Sequence, residues 1–106
     1  MKERLLGRTA VSVDFAENDK ISAKAKGIML YLLSVPENKG VNEAKIIASM
    51  KDGRDSIRSG IKELEAHGFV RRELARKNNN VFDGYRYFVD DGYTQKVIHK
   101  KEGDYE

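Results

Sequence analysis

Cysteine is missing from all 106 residues, which excludes disulfides and thiolate metal sites and suits a reducing compartment. Only two histidines are present, His67 and His99. Structural zinc usually takes four protein ligands, so no metal is expected. No apolar run approaches the roughly 18 residues of a membrane span, and residues 1–15 lack the continuous apolar stretch of a signal peptide. The expectation is a cytoplasmic protein with no membrane partner. Proline occurs once and glycine nine times, too rarely for a collagen-like or broadly disordered chain. Catalytic constellations are also missing: there is no glycine-rich phosphate loop, and no paired carboxylates share a helix face with a histidine. Neither an enzyme nor a cofactor is expected.

What remains is a small, charged, folded chain. Hydrophobic residues make up 40% and charged residues 35%, which fits one domain with a modest core and no deep substrate cleft. The net charge of +3 is unevenly placed. Asp90, Asp91, Glu102, Asp104 and Glu106 outnumber Lys96, Lys100 and Lys101, leaving −2 on residues 90–106 and +5 on residues 1–89. A basic folded part suits DNA, and also RNA or anionic lipid.

Residues 1–8 read as a charged arm carrying an isolated Leu5-Leu6 pair. In residues 9–15, the alternation of Val11, Val13 and Phe15 predicts a short N-terminal strand. Ser22 then caps a first helix running to about Val35, where Pro36 ends it. Its stripe is Ala25, Ile28, Met29, Leu32 and Leu33, widened by Leu30. Lys24 and Lys26 read as solvated residues of its first turn. Asn42 caps a second, short helix through Met50 with Ala44, Ile46, Ile47 and Met50 inward.

Residues 51–72, KDGRDSIRSGIKELEAHGFVRR, are the most informative stretch. Asp52, with Asp55 as capping-box partner, opens a third helix, and Gly68 closes it. Ile57, Gly60, Ile61 and Leu64 recur at helical spacing and seat it on a core. At about 100° per residue the opposite face centres on Asp55, Ser59, Lys62 and Ala66, flanked by Ser56 and Arg58. Small side chains let a helix backbone approach a groove, while Arg and Lys reach base edges and phosphates. Arg54 and Arg58 sit in the first turns and Glu63 and Glu65 in the second half, opposite to what the helix dipole favours. A polyanion meeting the N-terminal half reverses that preference, with the glutamates pointing away.

After Gly68 the period changes. Residues 69–77 and 81–89 predict two strands joined by Asn78, Asn79 and Asn80, residues that tolerate positive φ. The hairpin carries Arg71, Arg72, Arg76, Lys77 and Arg86 against Glu73 and Asp83, and its tip is polar enough to lie along phosphates or enter a minor groove. Tyr85, Tyr87 and Phe88 read as hairpin packing. Residues 90–106 read as a polar, mobile tail.

The opening Ile21-Ser22-Ala23-Lys24-Ala25-Lys26-Gly27, the run Lys51-Asp52-Gly53-Arg54-Asp55-Ser56-Ile57-Arg58 and the phrase Leu64-Glu65-Ala66-His67-Gly68-Phe69-Val70 together resemble the winged helix-turn-helix modules of phage and plasmid replication proteins. The chain looks like the N-terminal module of DnaD-like replisome organisers and is similar, less closely, to plasmid replication initiators. The resemblance covers residues 9–89. It implies an α+β, mainly helical fold of three helices, a two-stranded wing and a short N-terminal strand. It also implies sequence-specific binding of double-stranded DNA in replication initiation or transcription regulation. On this reading Arg54, Asp55, Ser56, Arg58, Ser59 and Lys62 contact DNA from the recognition helix. Arg71, Arg72, Arg76, Lys77, Asn78, Asn79 and Arg86 contact it from the wing. The alternatives are a winged-helix protein-interaction module or RNA binding. Further partners left open are a second copy of the chain and a replication or regulatory protein.

Overall fold

In the computed structural model, which describes residues 7–99, the first turn of the described residues is helical. Helix α1, Val13–Ala16, replaces the strand expected for residues 9–15. The apparent alternation was misleading, because Phe15 is buried while Val13 is 65% exposed. Ser12 decides the conformation: its Oγ accepts from Phe15 N at 3.0 Å, an N-cap. Ser12 is itself held from the far end of the chain. Its backbone N–H donates to Asp91 Oδ2 at 2.9 Å, and its hydroxyl donates to the Asp91 carbonyl at 2.7 Å.

Helix α2, Ala23–Ser34, follows the expected Ser22 cap, whose Oγ accepts from Ala25 N at 3.1 Å. Ala25, Ile28, Met29, Leu32 and Leu33 are buried, but Leu30 is exposed and does not widen the stripe. Lys26 is not simply solvated, since its Nζ donates to the last carbonyl of α1, Ala16 O, at 2.7 Å. A 3-10 turn, Glu37–Lys39, leads to helix α3, Glu43–Ala48, which Asn42 caps by accepting from Lys45 N at 2.8 Å. The helix stops before Met50. Only Ile46 is fully buried on it, with Ile47 and Met50 partly packed, and Ala44 faces out rather than in.

Helix α4, Arg54–Ala66, lays Ile57, Gly60, Ile61 and Leu64 into the core. Its N-cap is Gly53, with no side-chain hydrogen bond, so the expected Asp52–Asp55 box does not form. Asp52 instead accepts from Ser56 Oγ at a long 3.4 Å. The C-terminus closes as a Schellman motif: Gly68, at φ 82°, donates to Glu65 O at 3.1 Å and Phe69 N to Leu64 O at 2.9 Å. At Gly60 the two long helices approach so closely that a Cβ there would lie 2.5 Å from Ile28 Cδ1 and 3.3 Å from Lys24 Cγ.

Strands β1, Val70–Arg76, and β2, Phe82–Asp90, form the expected hairpin, pairing Val70 with Val89, Arg72 with Tyr87 and Leu74 with Tyr85. Asn80, at φ 66°, carries the turn. A third strand, β3, Gln95–Ile98, extends the antiparallel sheet to the order β1-β2-β3. Residues 90–98 therefore are not a tail; the expectation for residues 100–106 lies outside the described residues. Ile98 is fully buried, and Lys96 Nζ donates to Leu33 O at 2.6 Å and Leu32 O at 3.2 Å, closing the carbonyl end of α2. Among the described residues the architecture is α+β, four α-helices with one three-stranded antiparallel sheet.

Candidate nucleic-acid interface

Burying Ile57, Gly60, Ile61 and Leu64 forces the opposite side of α4 into solvent, where Arg54, Asp55, Arg58, Ser59 and Lys62 are all exposed and Ser56 is half-buried. The structure thus brings all six helix candidates to one surface. Arg54 and Lys62 make no ion pair among the described residues. Arg58 differs: its Nε donates to Glu43 Oε1 at 2.9 Å, while half of its side chain stays exposed.

The glutamates of α4 do more than point away. The Glu63 carboxylate accepts from the Ser22 hydroxyl and backbone N–H, both at 2.7 Å, locking the start of α2 to α4. Those two bonds, the hydroxyl first, hold its carboxyl below the usual range. Glu65 accepts from Arg72 Nε at 2.9 Å and Nη2 at 3.3 Å, a bidentate pair.

Arg72 is the main departure among the hairpin candidates. Its side chain is only 20% exposed, and its Nη1 also reaches Glu43 Oε2 at 3.1 Å. Arg58, Glu43, Arg72 and Glu65 therefore form one chain of charges tying α3, α4 and β1 together. The Arg58 hydrogen bond, seconded by Arg72, holds the Glu43 carboxyl low against its burial. Glu65, as the strongest influence, keeps Arg72 even more firmly protonated than usual. Burial pushes the Tyr87 phenol up; its ring lies 5.9 Å from the Arg72 guanidinium.

The other hairpin candidates do not converge. Strand alternation puts Arg72 and its partner Tyr87 on the core-facing side of the sheet, and Arg71 and Arg86 on the outer side. There Arg71 pairs with Glu73 and stacks 4.0 Å over the Phe88 ring. Arg76, Lys77, Asn78 and Asn79 stand exposed at the tip, Arg76 Nη1 donating to Asn80 O at 3.3 Å. Of the aromatic residues read as hairpin packing, Tyr87 is buried, but Tyr85 is exposed with Phe82 at 5.7 Å, edge to face.

Sequence reasoning missed Glu43 as a functional neighbour, since it appeared only as the residue after the Asn42 cap. It also missed the cleft of about 960 Å³ between the start of α3 and the hairpin, lined by Asn42, Glu43, Lys45, Arg72, Phe82 and Tyr85. Among the described residues, no helix is long and apolar enough to cross a membrane. Comparison with protein-family models, with curated proteins and with solved structures finds no match to this chain.

Proposed function

We propose that this chain binds double-stranded DNA as a winged helix-turn-helix, with the exposed face of α4 in the major groove and the hairpin tip along the adjacent backbone. One observation carries the reading. Among the described residues, Arg54 and Lys62 stand free of carboxylates on the same short-chained helix face as Ser59, while the acids of the helix's second half are engaged with Ser22 and Arg72. Such a face offers Arg54 at the positive helix end and Lys62 two turns further on to phosphate, and small residues to a groove floor. Arg76, Lys77, Asn78 and Asn79 at the hairpin tip extend the contact.

The test is fluorescence anisotropy with mixed-sequence duplex, single-stranded DNA and RNA at two salt concentrations. Duplex should bind best, with log affinity falling against log salt by about 0.9 per phosphate neutralised. Equal binding to all three nucleic acids and to an acidic polymer overturns the reading.

A second reading, a protein-interaction module, is favoured by one feature. Leu74, Phe82 and Tyr85 are exposed together at the outer end of the hairpin, and aromatic anchors of this kind dominate protein interfaces. Replacing Tyr85 and Phe82 with serine leaves duplex affinity unchanged if the helix face carries DNA binding.

A further inference from the structure

We propose that Glu43 fixes the reading geometry of Arg58, so that the outer edge of this guanidinium is held as a rigid fork for one guanine in the major groove. The inference rests on the DNA-binding reading above and adds which base is recognised and by which atoms.

Three observations converge on it. Glu43 takes the inner N–H of Arg58, Nε, at 2.9 Å, while Nη1 and Nη2 of Arg58 have no partner among the described residues. Glu43 is itself fixed: its second oxygen is held by Arg72 Nη1 at 3.1 Å, and Arg72 is gripped in turn by both oxygens of Glu65. Half of the Arg58 side chain is exposed, on the same helix as the free Arg54 and Lys62. Guanine presents N7 and O6 side by side in the major groove, and two parallel N–H groups of an arginine match them. A long side chain already anchored at Nε loses less freedom on binding than a free one, and it discriminates more sharply because it cannot swing to another acceptor. Arg54 and Lys62, with no such anchor, suit phosphates, which carry no sequence information directly.

A carboxylate beside a DNA-binding surface repels phosphate, so Glu43 should oppose electrostatic affinity while sharpening base choice. That opposition of sign separates a positioning role from a simple tie between α3 and α4. Duplexes selected from a random pool define the preferred site, and exchange of each base pair in competition gives the preference at every position. The wild-type protein should prefer one G·C pair by about tenfold or more. Glu43→Gln should lose about tenfold at that pair alone and bind a scrambled duplex no more weakly than wild type. Glu43→Gln in an Arg58→Ala background should change the profile no further. Should Glu43→Gln not fold, Glu43→Asp, which keeps the charge but falls one methylene short of Arg58 Nε, takes its place and must lose the same preference, as must Arg58→Lys. Preference retained in either single variant, or a loss spread evenly over all positions, overturns the positioning role and leaves DNA binding standing. Failure of the wild-type protein to bind any duplex overturns both.

Discussion

Helix α4 and the hairpin are both rich in cations, yet they use them differently. On the helix, Arg54 and Lys62 have no ion-pair partner among the described residues, and Arg58 is held by one end only. On the hairpin, Arg72 is enclosed by two carboxylates, Arg71 is paired with Glu73 and stacked on Phe88, and Arg76 bonds its own turn. Counting basic residues would rank the hairpin as the stronger polyanion surface. Their partners reverse the order, since a cation already satisfied by carboxylates gains little from phosphate and must first be released.

The comparison can be broken most forcefully at Arg72. Arg72→Ala leaves Glu43 and Glu65 facing each other without their shared cation and should lower stability by roughly 2–4 kcal/mol. Urea denaturation measures this. The fraction that stays folded should bind a scrambled duplex almost as wild type does, and a loss of that non-specific affinity at full stability would return Arg72 to the contact surface.

Next is the seat of α4. Gly60→Leu must displace Ile28, 2.5 Å from even a Cβ, and should cost about 1–3 kcal/mol, visible as a lower Tm. Gly60→Ala should cost less, because the nearest atom is the end of one side chain and alanine favours the helix. An unchanged Tm in the leucine variant would mean that the two helices do not meet there.

Acid should act on the committed charges. Glu43 and Asp91 both titrate below their ordinary range, Glu43 through Arg58. Burial pushes Asp91 up, and the N–H groups of Thr94, Tyr93 and Ser12 outweigh it. Because the folded-state values are depressed, their stabilisation is fully present above the ordinary carboxylate range near pH 4 and is lost as pH falls through the lower folded values. A fluorescence or circular-dichroism melt series from pH 6 to pH 2 should show Tm falling below about pH 4, with a shallower fall in Asp91→Asn.

The smallest effect on stability belongs to the free face. Lys62→Ala should alter stability by less than about 0.5 kcal/mol, yet reduce the salt slope of duplex binding by about 0.9 if it meets one phosphate. An unchanged slope removes Lys62 from the interface and narrows it toward Arg54.

Much of this layout was legible because it is local. The stripes of α2 and α4, the Ser22 and Asn42 caps, the Gly68 stop and the asparagine turn each follow from residues within a few positions of one another. The errors arose where distant residues decide. Ser12 turns residues 13–16 into a helix while bound by Asp91, 79 residues away. The partners of Arg72 were out of reach in the same way, with Glu43 lying 29 residues away. Strand β3 is only four residues long, with Val97 and Ile98 as its apolar content, and periodicity cannot register in so short a run. A signal was nevertheless present: Asp91-Gly92, with Gly92 at φ 98°, is a turn pair that could have announced a returning strand. The Arg54–Lys62 face was legible as a surface, but which arginines are already occupied could not be read without their partners.

The Ser12–Asp91 clasp joins positions 79 residues apart, and it sets a condition on how the protein can be made. During synthesis at about 5–20 residues per second, the first helical turn leaves the ribosome several seconds before its partner exists. Helices α2 and α4 can meet in the interval, but the turn that precedes them cannot be secured. A nascent chain halted after Asp90 would carry a complete hairpin and an unlatched beginning. Only emergence of Asp91, in the turn that follows β2, closes the circuit between the two ends of the fold.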